Sequence, residues 1–169
     1  MRDDRSRWPA PVADEIPLDL GGAQLQPVHG LTQTLISGAD VRNQTGLPVL
    51  AWPDSPTTDS YAISLRRDRI LCIGNVPFDE GWHSDTELAV SDMSDGYTVF
   101  DLVGDGALDL LNRGGDVSKT EASASVVRML FGLGVFLYCD PSTEGFRIHV
   151  SSVHDSALIS HLRSVAQTA

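Results

Sequence analysis

LAVSDMSDGYTVFDLV, residues 88–103, decides the fold. Leu88–Asp92 has the alternating apolar positions of a strand, and Ser94-Asp95-Gly96 is a turn. Tyr97–Val103 is rich in aromatic and β-branched residues and reads as a second strand. Val99, Leu102 and Val103 lead into the loop Gly104-Asp105-Gly106. A short amphipathic helix follows over Asp105–Asn112. It is expected to bury Ala107, Leu108 and Leu111, with Asp105 favouring the positive end of its dipole. Gly114 is its expected left-handed C-cap.

Downstream, Ser123–Phe131 and Val135–Asp140 flank Gly132-Leu133-Gly134 and predict a hairpin. Asp140–Gly145 is a strong turn, and Phe146–Val150 predicts another strand. Ser152, with Asp155 three residues later, has the spacing of a capping box for a last helix. That helix carries Val153, Ala157, Leu158, Leu162 and Val165 along one side. Upstream, Leu31–Ser37 alternates apolar and polar residues as a strand does. Tyr61–Leu65 and Ile70–Ile73 form an expected hairpin around Arg66-Arg67-Asp68-Arg69. These elements predict an α+β fold, an antiparallel sheet with helices on one face.

Residues 1–30 differ in composition. Pro9, Pro11, Pro17, Pro27 and Gly21-Gly22 interrupt regular periodicity, while Trp8, Ile16, Leu18, Leu20 and Leu25 supply apolar contacts. The stretch reads as an extended N-terminal arm ahead of one domain over 31–169. It would lie along a partner or along that domain, or form a disordered leader.

The chain has 169 residues and 41% hydrophobic content, enough for a real core. Its net charge of −11 opposes nucleic acid and anionic membrane surfaces. Lysine is nearly absent, with Lys119 alone, so arginine carries the positive charge. The N-terminus lacks the apolar run of a secretory signal, and no stretch has the roughly 20 apolar residues of a membrane span. A soluble, cytoplasmic protein is expected. Cys72 and Cys139 sit in apolar surroundings and read as small buried hydrophobes, although sequence alone leaves a disulfide between them open.

No catalytic constellation stands out. No serine lies in a nucleophile elbow. His29, His83, His149, His154 and His161 lack metal-ligand spacing and read as surface or satisfied side chains. Asp101, Asp105 and Asp109 fail the calcium-loop pattern. Gly132-Leu133-Gly134 lacks the rest of a dinucleotide fingerprint. The Arg66-Arg67-Asp68-Arg69 tip reads as a solvated turn, with clamping of an anion as the functional alternative. Trp8, Trp52, Phe78 and Trp82 are the candidate partner interface, since large aromatics anchor such surfaces.

The motif order resembles a known family. Thr32–Gly38 is similar to the early strand of the γ subunit of heterotetrameric sarcosine oxidase, and Gln44–Pro48 to its glycine-leucine-proline turn. Ile70–Gly74, followed by Trp82, resembles the strand and tryptophan loop. Val90–Ser94 resembles the aspartate-x-serine strand end, and Leu102–Gly104 with Ala107, Leu110 and Leu111 the step into the helix. Phe146–Ser152 resembles the last strand and cap. The chain departs from the family in three places. A Gly-Pro-Asp-Glu-Trp run is spread over Gly74, Pro77, Asp79, Glu80 and Trp82. Gly96-Tyr97 replaces an arginine, and Ser118–Ala122 lacks an expected phenylalanine and glycine.

The resemblance implies an aminomethyltransferase-like fold and a subunit supporting assembly, with no cofactor or catalytic residue on this chain. FAD, FMN, NAD and tetrahydrofolate would belong to larger α- and β-type flavoprotein chains, and zinc to a small δ-type chain. Such a complex demethylates an N-methyl amino acid and passes the one-carbon unit to tetrahydrofolate. The alternative is a stand-alone folate-binding or one-carbon-transfer protein of the aminomethyltransferase class.

Overall fold

Alternation along each strand divides the side chains between two faces, and in this chain both faces are covered. The computed structural model describes residues 17–140 and 145–168. Its strands are β1 (Leu18–Asp19), β2 (Gln24–Val28), β3 (Gln33–Ser37), β4 (Val49–Leu50), β5 (Tyr61–Arg66) and β6 (Arg69–Ile73), then β7 (Gly81–His83), β8 (Leu88–Asp92), β9 (Tyr97–Val103), β10 (Val127–Leu130), β11 (Leu133–Asp140) and β12 (Gly145–Ser151). The helices are α1 (Val41–Gln44), α2 (Ala107–Gly114) and α3 (Asp155–Ala166).

The strands form two six-stranded sheets rather than the single sheet expected. One has the order β1-β2-β9-β12-β11-β10 and the other β4-β5-β6-β3-β8-β7. Pairing is antiparallel except between β4 and β5. The two halves of the 88–103 stretch belong to different sheets. β8 pairs with β3 and β7, and β9 pairs with β2 and β12. The turn at 94–96 therefore carries the chain from one sheet to the other.

Three apolar layers result. α2 and α3 cover one face of the first sheet, where Leu25, Phe100, Leu102, Leu137, Ile148 and Leu158 pack. Between the sheets lie Tyr61, Ile63, Leu65, Leu71, Ile73 and Tyr138. The outer face of the second sheet holds Ile36, Val41, Ala62, Ile70, Cys72 and Leu88, with Phe78 packed against them. The class is α+β, with both long helices on one side.

From Leu18 onward the stretch expected as an arm runs along the domain, one of the alternatives its composition left open. β2 pairs with β9 from Gln24↔Val103 to Val28↔Val99, and Leu25 is fully buried. Gly104, at φ 113°, packs on this segment, and a Cβ there would lie 2.6 Å from the Gly22 carbonyl oxygen. Several local expectations change. α2 starts two residues later than expected and buries Leu110 in place of Leu108. Gly114 is not a left-handed cap. Helix α2 ends into extended backbone at Gly115, and Gly114 is kept small by the Phe131 ring, 2.6 Å from where a Cβ would sit. The capping box does not form either. Residues Ser152–His154 make a 3-10 turn, and the Ser152 hydroxyl donates to the Asp95 carbonyl. Cys72 and Cys139 are free thiols.

Trp52 is the largest fully buried side chain of the helix-side core and is 2% exposed. Its ring stacks on Phe146 at 6.2 Å, its Nε1–H donates to the Ser118 carbonyl, and the Arg128 guanidinium lies 5.2 Å from the ring centroid. Its backbone exchanges two hydrogen bonds with Ser123. Trp52→Ala should therefore cost about 3–5 kcal/mol in urea unfolding. Trp82→Ala, at a residue 65% exposed, should stay within about 0.5 kcal/mol. Equal costs for the two would contradict this placement.

Candidate functional site

Polar side chains gather between the sheets because β9, β11 and β12 alternate apolar and polar residues in register. Along β12, Phe146, Ile148 and Val150 turn to the helices, and Arg147 and His149 turn to the second sheet. Asp101 of β9 stands opposite Arg147, and Tyr138 and Asp140 of β11 line the same layer. Gln33 of β3 and Tyr61 of β5 meet them from the other sheet.

The hydrogen bonds form one directional chain. The Gln33 Nε2 amide donates to the carbonyls of Tyr97 at 3.0 Å and Ser94 at 3.3 Å, which turns its Oε1 toward His149. His149 Nδ1 lies 2.7 Å from that oxygen and must therefore carry the proton. Its Nε2 is left as an acceptor for the Tyr138 hydroxyl at 2.9 Å. The Tyr138 oxygen in turn accepts from the Tyr61 hydroxyl at 2.8 Å. Arg147 Nη1 makes a long contact of 3.5 Å to the Tyr61 oxygen. Every proton in the chain has one place to go.

Electrostatics follow from burial. Desolvation holds His149 down to a pKa of about 3, helped by the charge of Arg147. The imidazole is neutral, as the chain requires. Desolvation, then the coupling to Tyr61, pushes the Tyr138 hydroxyl well above its ordinary value. For Arg147, burial is the largest single influence and opposes the charge, but the hydrogen bond to Asp101 and the electrostatic influence of Tyr138, Asp101 and Tyr61 together outweigh it, and the guanidinium stays protonated. Arg147 Nε and Nη2 reach Asp101 at 2.8 and 3.0 Å, and Nη2 also meets Asp140. One arginine thus faces two carboxylates.

A cleft of about 570 Å³ opens at this end of the layer, bordered by Leu31, Thr57, Asp59, Tyr61, Ile73 and Arg147. The volume is in the range of ligand clefts. Its charged floor is already paired, so it offers no free cation to an anionic ligand. His149 lies below Tyr61 and Tyr138 and is fully buried, which keeps it from acting as a solvent-accessible acid or base. Among the described residues, no three His, Cys, Asp or Glu side chains converge as metal ligands. No helix among them is long and apolar enough to cross a membrane.

Of the four residues expected to form a partner interface, the three that the structure describes do not form one patch. Trp52 is corrected to a core residue, because its ring fills the space between β12 and the 118–123 segment. Phe78 is half-buried on the outer face of the second sheet, edge-on to His83 at 5.9 Å. Trp82 is exposed on the edge strand β7. Trp8 lies outside the described residues. The polar layer was missed as a unit. Its signal is the run Phe146-Arg147-Ile148-His149-Val150, in which a strand buried on both faces has two polar residues on the same face.

No protein-family model matches the sequence, and comparison with curated protein sequences gives no significant match. Solved structures do match. One is a chain of heterotetrameric sarcosine oxidase from Corynebacterium sp. U-96, solved in complex with pyrrole 2-carboxylate. It aligns with a TM-score of 0.66 at 16% identity, covering 93% of this chain and 92% of that one. The glycine cleavage system aminomethyltransferase T from Bartonella henselae aligns with a TM-score of 0.53 at 13% identity, covering 84% of this chain and 45% of that one. The fold is aminomethyltransferase-like. At these identities the likeness concerns the fold alone, and the chain spans less than half the length of the aminomethyltransferase.

Two measurements test the polar layer. In the folded protein the His149 imidazole should show no NMR titration between about pH 7 and pH 5, whereas an unfolded-chain histidine titrates near 6.5. The unfolded state then binds the extra proton. The stability His149 contributes is full above about pH 6.5 and is lost toward about pH 3, at about 1.4 kcal/mol per unit. A His149 midpoint near 6.5 would refute the burial. Tyr138→Phe, which leaves His149 Nε2 without its donor, should lower stability by about 1–3 kcal/mol in urea unfolding.

Proposed function

We propose that this chain is a non-catalytic, γ-type subunit of a heteromeric, flavin-dependent complex resembling sarcosine oxidase, and that it supports assembly in the cytoplasm. The observation that carries this reading is the extent of the structural match. A chain of heterotetrameric sarcosine oxidase and this chain cover each other almost end to end, whereas the aminomethyltransferase is more than twice as long as the matched part. The interior agrees. The titratable groups between the sheets are locked to one another, as suits a scaffold.

On this reading the partners are larger α- and β-type flavoprotein chains and a small zinc-binding δ-type chain. FAD, FMN, NAD, tetrahydrofolate and zinc belong to those partners, and the assembled reaction is oxidative demethylation of an N-methyl amino acid. Trp82, Phe78 and Trp8 remain the proposed contacts. A tryptophan 65% exposed on an edge strand is the kind of anchor that dominates interfaces. The second reading, a stand-alone folate-binding or one-carbon-transfer protein, draws on the aminomethyltransferase match.

Co-expression with α- and β-type flavoprotein chains, sought among the neighbouring genes, should yield one flavin-containing complex on size exclusion. Trp82→Ala should weaken that complex by about tenfold or more, the loss of a hot-spot side chain. Elution of this chain as a lone monomer, with the flavoproteins assembling without it, would overturn the proposal. Tetrahydrofolate binding by the isolated chain would favour the second reading.

A further inference from the structure

The opposite end of the inter-sheet layer holds a second groove, of about 270 Å³. Leu35, Tyr97, Val127 and Phe136 form its apolar walls, and Arg66 and Arg69 stand at its rim. The Tyr97 and Phe136 rings are 5.0 Å apart and give it an aromatic side. Its volume lies just below the usual range for drug-sized ligands, so it suits a small molecule.

The charge at this groove is unbalanced. Arg66 and Arg69 are directly opposed cross-strand partners at the end of the β5–β6 hairpin. Like charges in that position are destabilising. Arg67 adds a third cation to the tip, and among the described residues the Asp68 carboxylate pairs with Arg66 alone, at 3.4 Å and in solvent. Arg69 is half-buried. Its Nε donates to the Ser37 hydroxyl at 3.0 Å, and among the described residues it has no carboxylate partner. The Tyr97 hydroxyl makes no hydrogen bond among them, and it feels the charge of Arg69. In a protein of net charge −11, an arginine pair set against an aromatic wall is out of place unless an anion joins it.

We propose that this groove binds a small organic acid with an aromatic or branched apolar body. The body packs against Tyr97, Phe136 and Val127, and the carboxylate is held by Arg69 and Arg66. Arginine suits this task because its planar fork matches a carboxylate. The cleft at the other end of the layer is a poor alternative for such a ligand, because Asp101 and Asp140 already neutralise Arg147 there. The proposal is independent of subunit assembly, and either can fail without the other.

Phenylacetate and its uncharged amide, phenylacetamide, are the probes, titrated into the full chain at neutral pH by calorimetry and aromatic NMR. Phenylacetate should bind one to one with a dissociation constant of about 1 mM or tighter, as about ten heavy atoms deliver at ordinary ligand efficiency. It should shift the Tyr97 and Phe136 ring signals. Phenylacetamide should bind at least about tenfold more weakly, the loss of a charge-assisted pair. Arg69→Gln should erase that difference by weakening phenylacetate alone. Val127→Trp, at an exposed wall position, should block both probes. Equal affinity for acid and amide, unchanged phenylacetate affinity in Arg69→Gln, or no saturable phenylacetate binding would each overturn the proposal.

Discussion

The neutral imidazole of His149 is the point through which the two sheets are joined. It lies between Gln33 of one sheet and Tyr138 of the other, and Tyr138 passes the contact back to Tyr61. Buried polar groups cost several kcal/mol each when left unpaired, so this chain is stable only when all its members are in place. That makes it a register lock. A slip of one residue in β12 would turn Ile148 toward the second sheet and send His149 and Arg147 into the helix-side core. The apolar contacts between the sheets are non-directional and would tolerate small offsets. The hydrogen-bond chain would not.

A second seam closes the sandwich along one side. Before entering the first sheet as β10, residues 123–126 run beside the second. Val126 N–H donates to the Ser64 carbonyl, the Ser125 hydroxyl to the Leu65 carbonyl, and the Ser64 hydroxyl to the Ala124 carbonyl. Arg42 reaches the same place, donating to Ser64 and Ala124. These small polar residues occur where a covalent crossover and a hydrogen-bonded seam coincide, which large side chains would prevent. Trp52 pairs with Ser123 at the start of the seam, so its burial belongs to the same closure.

Local structure was legible where the local signal and the tertiary contacts agree. Leu88–Asp92 and Tyr97–Val103 are strands with the bounds the alternation gives, and the β5–β6 hairpin turns where its arginine tip predicts. The sorting of strands into two sheets was not legible. The Ser94–Gly96 turn has the composition of a hairpin, and only long-range pairing decides that its arms part. β2 was hidden by Pro27, which lacks a ladder donor, and by the Gly21-Gly22 pair. Both features mimic a linker. Trp52 was misplaced because an aromatic residue beside prolines reads the same whether it faces a partner or its own core. The polar layer was written in the alternation of β12 but is recognisable only once both faces of that strand are known to be buried.

The two ends of the inter-sheet layer use the same residue type to opposite effect. Arg147 is enclosed by Asp101 and Asp140 and anchors Tyr61, so its charge is spent inside the fold. Arg69 and Arg66 oppose each other on adjacent strands and leave their charge at the surface. Net charge, which argues at the scale of the whole chain against anionic partners, averages these two situations away. What separates them is pairing. An arginine that arrives with two carboxylates is part of the scaffold. One that meets another arginine beside an apolar groove is held against its own electrostatics, and the solvent-exposed Asp68 and the Ser37 hydroxyl offset that cost only in part.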